Sequence, residues 1–158
     1  MIRDSRLVAV ALLCLMSAAS AAAPEPPRYA SIRGATANLR EGPSYDHRIL
    51  WLYTHKNYPL QIIASFDAWR RVKDVDGVVG WMHHSQLTDR RTVLFIGFTK
   101  SALRQSDDPA SKVVAYAQPG VVAKLRACKP DVCEVEASGA DGWVNKKNIW
   151  GVAAGEVF

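Results

Sequence analysis

The sequence predicts an all-β protein made of two small modules in tandem. Short runs of β-branched, aromatic and aliphatic residues recur at about 8–12-residue spacing between turn signals, and no stretch keeps a helical period. The segment from Gly77 to Leu87 has a counterpart from Gly139 to Ile149; each runs from a glycine turn through a Gly-Trp pair and a polar stretch to an aliphatic residue. Matching anchors keep their order. Leu39-Arg40 and Leu103-Arg104 are 64 residues apart, Trp69 and Val132 are 63 apart, and Gly80-Trp81 and Gly142-Trp143 are 62 apart.

The chain has 158 residues, and its first 23 read as a cleaved secretory signal. Arg3 and Arg6 form a basic start, Leu7 to Met16 an apolar run, and Ser17 to Ala23 a small-residue stretch with A-x-A cleavage options. The apolar run is too short to span a bilayer as a stable helix, so no integral membrane segment is expected after cleavage within Ala21–Ala23. The exported part is then periplasmic or secreted. Residues 24–28 read as a Pro-rich linker, residues 29–91 as the first module and residues 92–158 as the second.

Without Arg3, Arg6 and Asp4, 18 basic and 14 acidic side chains remain, a mildly basic balance. It suits an anionic partner such as a wall polymer or lipid headgroups, and equally an ordinary soluble surface. The absence of an arginine-rich run, together with export, argues against a nucleic-acid partner.

In the first module, Asn38-Leu39-Arg40 ends a strand and Gly42-Pro43-Ser44 opens a loop. Ile49 to Tyr53 reads as the next strand. Leu60 to Phe66 follows, with Leu60, Ile62, Ala64 and Phe66 on one face at period two. Asp67-Ala68 turns the chain into a strand over Trp69 to Val75. Asp76-Gly77 is a hairpin signal, Val78 to Met82 forms the next strand, and Ser85 to Leu87 suits a single 3₁₀ turn. Asp89-Arg90-Arg91 marks the module boundary. Thr92 to Phe98, the most apolar run after the signal, reads as a strand packed between the halves. The second half repeats the order through Val113 to Tyr116, Val121 to Ala127, Val132 to Val135 and Gly142-Trp143, and Ile149 to Val152 closes it.

Cys128 and Cys133 flank Lys129-Pro130-Asp131-Val132. The Pro-Asp turn would set them opposite each other on a hairpin, within disulfide reach, which suits an exported chain. A redox or zinc pair is the other reading, and a C-x4-C alone supplies only two ligands.

Leu39-Arg40-Glu41-Gly42-Pro43-Ser44, then Trp69-x-x-Val72, then Gly80-Trp81-x-His83 resembles the bacterial SH3-like (SH3b) domain family, which reads L-R-x-G-P-S, W-x-x-V and G-W-V at those places. The second half resembles a degenerate copy. It keeps Leu103-Arg104 and Gly142-Trp143-Val144, has Ser106-Asp107-Asp108-Pro109 where Gly-Pro would stand, and carries Val132 for the tryptophan. The whole also resembles an exported two-copy subgroup with the phrase Asp67-x-Trp69-Arg70-Arg71. The resemblance implies two small five-stranded SH3-like barrels. A barrel of that size is a marginal core alone, so the two are expected to touch.

Trp69 and Val72 are three apart and face opposite ways on a regular strand. If Val72 is core, Trp69 faces outward as a binding candidate; a bulge or a covering neighbour would make it structural. Trp51 alternates with Leu50 and Leu52, and the pattern leaves open which set is inside. Tyr45 and Tyr53 could line a groove beside Trp69, with Arg70 and Arg71 assisting. Any groove is expected in the first module, since the second has few aromatics. Trp81 and Trp143, present in both copies, read as structural. His83 and His84 are adjacent, point apart on a strand and cannot jointly chelate. Asp74 and Asp76 read as hairpin-turn residues. No nucleophile elbow, phosphate loop or zinc-protease motif occurs, and the sequence implies no catalytic residue, metal or cofactor.

The function expected is a non-catalytic exported SH3b-type binding protein of the cell envelope. Its ligand would be a peptidoglycan peptide or another envelope peptide, held in an aromatic groove of the first barrel. The alternative is a structural or adaptor protein that docks an envelope or membrane protein complex, with Val93 to Phe98 as its interface. A wall hydrolase would need free thiols at Cys128 and Cys133.

Overall fold

The computed structural model describes residues 28–158. The expected signal peptide over residues 1–23 and linker residues 24–27 lie outside the described residues. Arg28, expected in the linker, opens the first strand. No helix among the described residues is long and apolar enough to cross a membrane.

Two antiparallel sheets follow one another. The first holds β1 (Arg28–Ile32), β2 (Ala37–Arg40), β3 (Ile49–Tyr53), β4 (Pro59–Phe66), β5 (Trp69–Lys73), β6 (Val79–His83) and β7 (Leu87–Thr88). The second holds β8 (Thr92–Phe95), β9 (Ser101–Arg104), β10 (Val113–Ala117), β11 (Val122–Cys128), β12 (Val132–Ala137), β13 (Ala140–Asn145) and β14 (Ile149–Trp150). Strand order is β3-β2-β6-β5-β4-β1-β7 in the first and β10-β9-β13-β12-β11-β8-β14 in the second, the same order shifted by seven. Each sheet has seven strands where the resemblance implied five; β7 and β14 are two-residue strands after a 3₁₀ turn.

Every strand of the first sheet sends a side chain into one core, from Ile32, Leu39 and Tyr53 to Leu60, Val72, Met82 and Leu87. A flat sheet cannot bring its seven strands to one cluster, so the sheet wraps around its own apolar face. The second sheet does the same around Phe95, Leu103, Val135 and Val144.

The repeated Gly-Trp pair has a steric cause. β2 crosses β6 so closely that a Cβ at Gly80 would stand 2.6 Å from Leu39 Cγ and 2.8 Å from the Arg40 carbonyl oxygen. Gly142 meets Leu103 and Arg104 in the same way, at 2.9 and 3.1 Å. The Leu-Arg and Gly-Trp phrases are therefore the two sides of one strand crossing. The polar run after each tryptophan caps a 3₁₀ turn. His83 Nδ1 accepts from the Ser85 N–H, and Asn145 Oδ1 accepts from the Lys147 N–H.

Two parity expectations fail at bulges. Between Ile62 and Ala64 the register against β5 shifts, so Leu60 and Ile62 face the core while Ala64 and Phe66 cross to the outer face. The extra residue is Ile63. In β3 the shift falls at Leu50, and Ile49, Leu50, Trp51 and Leu52 are all exposed on a strand whose only sheet partner among the described residues is β2. Neither set alternates into the core.

The run from Thr92 belongs to the second sheet and its strand also meets the first. β8 pairs with β11 and β14 and lies against β4. Val93 and Phe95 enter the second core, Leu94 is buried on the opposite side, and the strand ends before Phe98, which is exposed. Thr92 at its start also joins the halves. Its hydroxyl donates to the Asn57 carbonyl at 2.7 Å and lies 2.6 Å from Ser31 Oγ, and Tyr29 meets Trp150 edge to face at 5.5 Å. The two domains touch, as their small cores require. Cys128 and Cys133 form a disulfide, with sulfurs 2.01 Å apart, across the β11–β12 hairpin.

Candidate functional site

Strand register decides which side chains share a face, because directly paired residues project to the same side. Val72 pairs with Gly80 and Arg70 with Met82, and Val72 and Met82 are core. The alternate pairs, Trp69 with His83 and Arg71 with Trp81, therefore face outward. Trp69 points where its parity predicts.

It is nevertheless covered. The loop from Glu41 to Arg48, closed by the Glu41 N–H donating to the Arg48 carbonyl, brings Tyr45 onto it. Arg40 reaches from the end of β2 and donates to the Tyr45 and His47 carbonyls at 2.9 and 2.7 Å, which fixes the loop. A side chain at Gly42 would collide with the His47 ring. The Tyr45 ring packs edge-on to Trp69 at 5.0 Å and lies 5.5 Å from His83; Trp69 and His83 meet edge-on at 5.3 Å. Trp69 is left 6 % exposed under a Tyr45 that is 63 % exposed. The Arg40 guanidinium sits 5.5 Å from the Tyr45 ring centre, within cation–π range.

The six expected binding residues thus part company. Tyr45 and Trp69 come together. Arg71 shares their face beside Trp81, while Arg70 turns the other way and its Nη1 donates to the Asp67 and Trp69 carbonyls. Trp51, 57 % exposed, stands on the β3 edge and is not a partner of these rings. Tyr53 is not a groove wall. It is buried in the core, and its hydroxyl donates to Asp74 Oδ2 at 2.8 Å. Burial, then that bond and the Asp74 charge, push the Tyr53 phenol far up; burial and the charges of Asp74 and Asp76 raise Tyr58 to about 12.

Asp74 does more than turn a hairpin. It is buried, and its Oδ1 accepts the Asp76 and Val78 N–H groups while Oδ2 takes Tyr53. His83 and His84 also depart from expectation. Their ring centres are 4.7 Å apart because His84 leaves the strand to begin the 3₁₀ turn. Among the described residues no third metal ligand joins them. Sequence reasoning missed His83 and Arg40 as members of the aromatic site. His83 could have been found, since it lies two residues from Trp81 on the same outward face.

The equivalent place in the second domain is open. Val132 stands for Trp69, Asn145 for His83 and Pro109 for Tyr45, and a cavity of about 230 Å³ lies among Arg104, Pro109, Val132, Trp143, Asn145 and Lys147. The Lys129 ammonium lies 5.1 Å over Trp143 and pairs with Asp107 at its rim. Glu134 pairs with Trp143 where Arg71 pairs with Trp81, so the charge beside the outer tryptophan is reversed. The count of aromatics favours the first module for a groove, and the smaller side chains of the second leave room there as well.

The family model for the bacterial SH3 domain matches residues 33–89 and 99–151. The chain belongs to the bacterial SH3 domain family. Each matched stretch begins just after the first strand of its sheet and spans the other six, so the degenerate second half is a bacterial SH3 domain as well. A comparison with curated proteins finds no match. Among solved structures, the chain is similar to NlpC2 from Trichomonas vaginalis, at 9 % identity and a TM-score of 0.37, over 79 % of this chain and 48 % of that one. It is also similar to NlpC1 from Trichomonas vaginalis, at 10 % identity and a TM-score of 0.37, over 87 % of this chain and 50 % of that one. The chain spans about half the length of both.

Proposed function

We propose that this bacterial SH3 protein is a non-catalytic, exported binding protein of the cell envelope that holds peptidoglycan peptides on the outer face of its first domain. Family membership supports a wall-binding role. The observation that carries the finer reading is the Tyr45–Trp69–His83 group. An exposed tyrosine, held by a loop that Arg40 grips, lies against a tryptophan and a histidine. Such rings offer a rigid apolar floor for a peptide backbone, and the cations Arg40 and Arg71 beside it suit the carboxylates of wall peptides. The Cys128–Cys133 disulfide removes the thiolates that a cysteine hydrolase reading needs.

The test is retention of residues 24–158 on purified peptidoglycan, with Tyr45→Ala and Arg71→Ala beside the parent. Loss in the Tyr45 variant, with an unchanged melting temperature, supports the proposal. Equal retention of all three proteins rejects the aromatic face as the site.

The adaptor reading loses most of its first motivation, because Val93, Leu94 and Phe95 are buried and Phe98 is the only large apolar side chain of that run that is well exposed. It gains another in the exposed apolar edge strand β3, which could accept a partner strand. Wall binding unchanged in Tyr45→Ala, with Trp51→Lys abolishing capture of one specific envelope protein, would favour it.

A further inference from the structure

The two domains use one corresponding place in opposite ways. In the first, a hollow of about 170 Å³ opens beside β1, β4, β5 and the 3₁₀ turn. Arg28, Arg33, Arg70 and His84 line it, with Asp89 as its only acidic side chain. Asp89 pairs with Arg28 at 2.6 Å, but both are well exposed, and such a pair is screened and weak. Arg33 is anchored through Nε to the Leu87 carbonyl, and Arg70 through Nη1. A guanidinium carries five N–H donors, so each can still present donors to an anion.

Strand register gives the matching residues of the second domain. Arg28 pairs with Ile62 on β4, and the Leu125 N–H donates to the Arg91 carbonyl, so Arg91 stands for Arg28. Lys146 opens the second 3₁₀ turn as His84 opens the first. Ser65 pairs with Arg70 where Cys128 pairs with Cys133.

There the chain's own tail occupies the place. Glu156 takes a forked pair from Arg91, at 2.6 and 3.2 Å, and accepts the Ala153 N–H at 2.9 Å. The Lys146 ammonium donates to the Glu156 carbonyl at 2.6 Å. Phe158 exchanges two backbone hydrogen bonds with Cys128, and its ring lies 5.6 Å from the Arg91 guanidinium. Burial alone would raise the Glu156 carboxyl. The Arg91 bond, the Ala153 N–H and the charges of Arg91 and Lys146 outweigh it and hold the group below its ordinary range.

We infer that the basic hollow of the first domain binds an extended acidic peptide segment supplied by another protein, with a glutamate on Arg28, Arg33 and Arg70 and an aromatic residue two positions on. The tail in the second domain is the pattern for that ligand, and the first hollow holds more cationic groups than the place the tail fills. The inference does not rest on the aromatic face. Arg70 and Arg71 are neighbours on β5 and point to opposite sides, so the two sites can be lost separately.

The experiment uses residues 24–158 and the peptide Gly-Val-Ala-Ala-Gly-Glu-Val-Phe, copied from residues 151–158. Amide shifts are followed by NMR to about 5 mM peptide, where even a weak complex is visible. Saturable shifts around Arg28, Arg33, Arg70 and His84 are expected. The peptide with glutamine for glutamate should bind at least tenfold more weakly, and the protein variant Arg33→Gln should lose affinity while Tyr45→Ala keeps it. No shift at the highest concentration overturns the inference. So do shifts confined to Arg91 and Lys146, which report exchange with the native tail, and equal binding of the glutamine peptide. A soluble muropeptide titrated in parallel that shifts the hollow more strongly than the acidic peptide would reassign the site to a wall ligand.

Discussion

Replacing Gly80 by alanine tests the reading of the Gly-Trp pair as one side of a strand crossing. The new methyl would stand 2.6 Å from Leu39 Cγ and 2.8 Å from the Arg40 carbonyl. Ordinary contact begins near 3.4 Å, so β2 must retreat by roughly 1 Å or Leu39 must leave its rotamer. Overpacking of this kind costs about 1–3 kcal/mol, and the loss of glycine's unfolded-state freedom returns about 0.4–1 kcal/mol. The two neighbours are a packed core atom and a backbone oxygen, so the upper half of the overpacking range applies and the net loss for the first domain is about 1–2.5 kcal/mol. For a unit of this size that is roughly 4–20 °C in melting temperature. Gly142→Ala meets its neighbours at 2.9 and 3.1 Å and should lose less, about 0–1 kcal/mol on the same reasoning. Urea titration read domain by domain through backbone amide intensities measures both. Because Arg40 grips the Tyr45 loop, Gly80→Ala should also shift the Tyr45 and Trp69 resonances. An unchanged first-domain midpoint in Gly80→Ala, or a larger loss in Gly142→Ala, would refute the crossing as the reason for the motif.

Three further outcomes follow from the geometry. Tyr53→Phe leaves the buried Asp74 Oδ2 without its donor and should lower first-domain stability by about 1–2 kcal/mol, seen as an earlier urea midpoint with the second domain unchanged. The double variant Cys128→Ser, Cys133→Ser opens a short loop and should destabilise the second domain by about 2 kcal/mol in the chain-entropy description, with peptidoglycan retention intact if the first domain carries it. Glu156→Gln breaks a half-buried ion pair and should lower stability by about 1–3 kcal/mol at neutral pH. The folded carboxyl titrates below its ordinary 4.5, so the parent's advantage is full above that value and is lost as pH falls through the lowered one. The two midpoints should converge in acid and stay apart above pH 5.

The parts of this fold that were readable in the sequence are those fixed by local chemistry. Asp76-Gly77 and the Pro-Asp turn between the cysteines each specify a hairpin by their own backbone preferences, and Gly77 does take φ 85°. The outward aim of Trp69 follows from its spacing to Val72 once Val72 is core. What failed depends on groups distant in the chain. A bulge at Leu50 or Ile63 leaves no composition signal, yet it reverses every side chain beyond it. Tyr53 looked like a groove aromatic because its partner Asp74 is 21 residues away. Trp69 is covered because an eight-residue loop folds back onto it, and nothing in the spacing of Tyr45 fixes that closure. Nothing local in Gly155 to Phe158 marks the tail as packed, although Glu156 finds its partner 65 positions earlier.

The junction between the domains sets how any shared ligand must be shaped. Only residues 89–91 separate the last strand of one sheet from the first strand of the next, and Thr92 is at once bonded to Asn57 and within reach of Ser31. A connection so short and so tied behaves as a ruler more than as a tether. A polymer that engages both domains gains from the second contact only if its repeat matches that fixed interval, whereas a flexible linker would accept many intervals at lower effective concentration. Lengthening the junction by a few Gly-Ser pairs should therefore leave binding of small fragments unchanged and weaken binding of the long polymer.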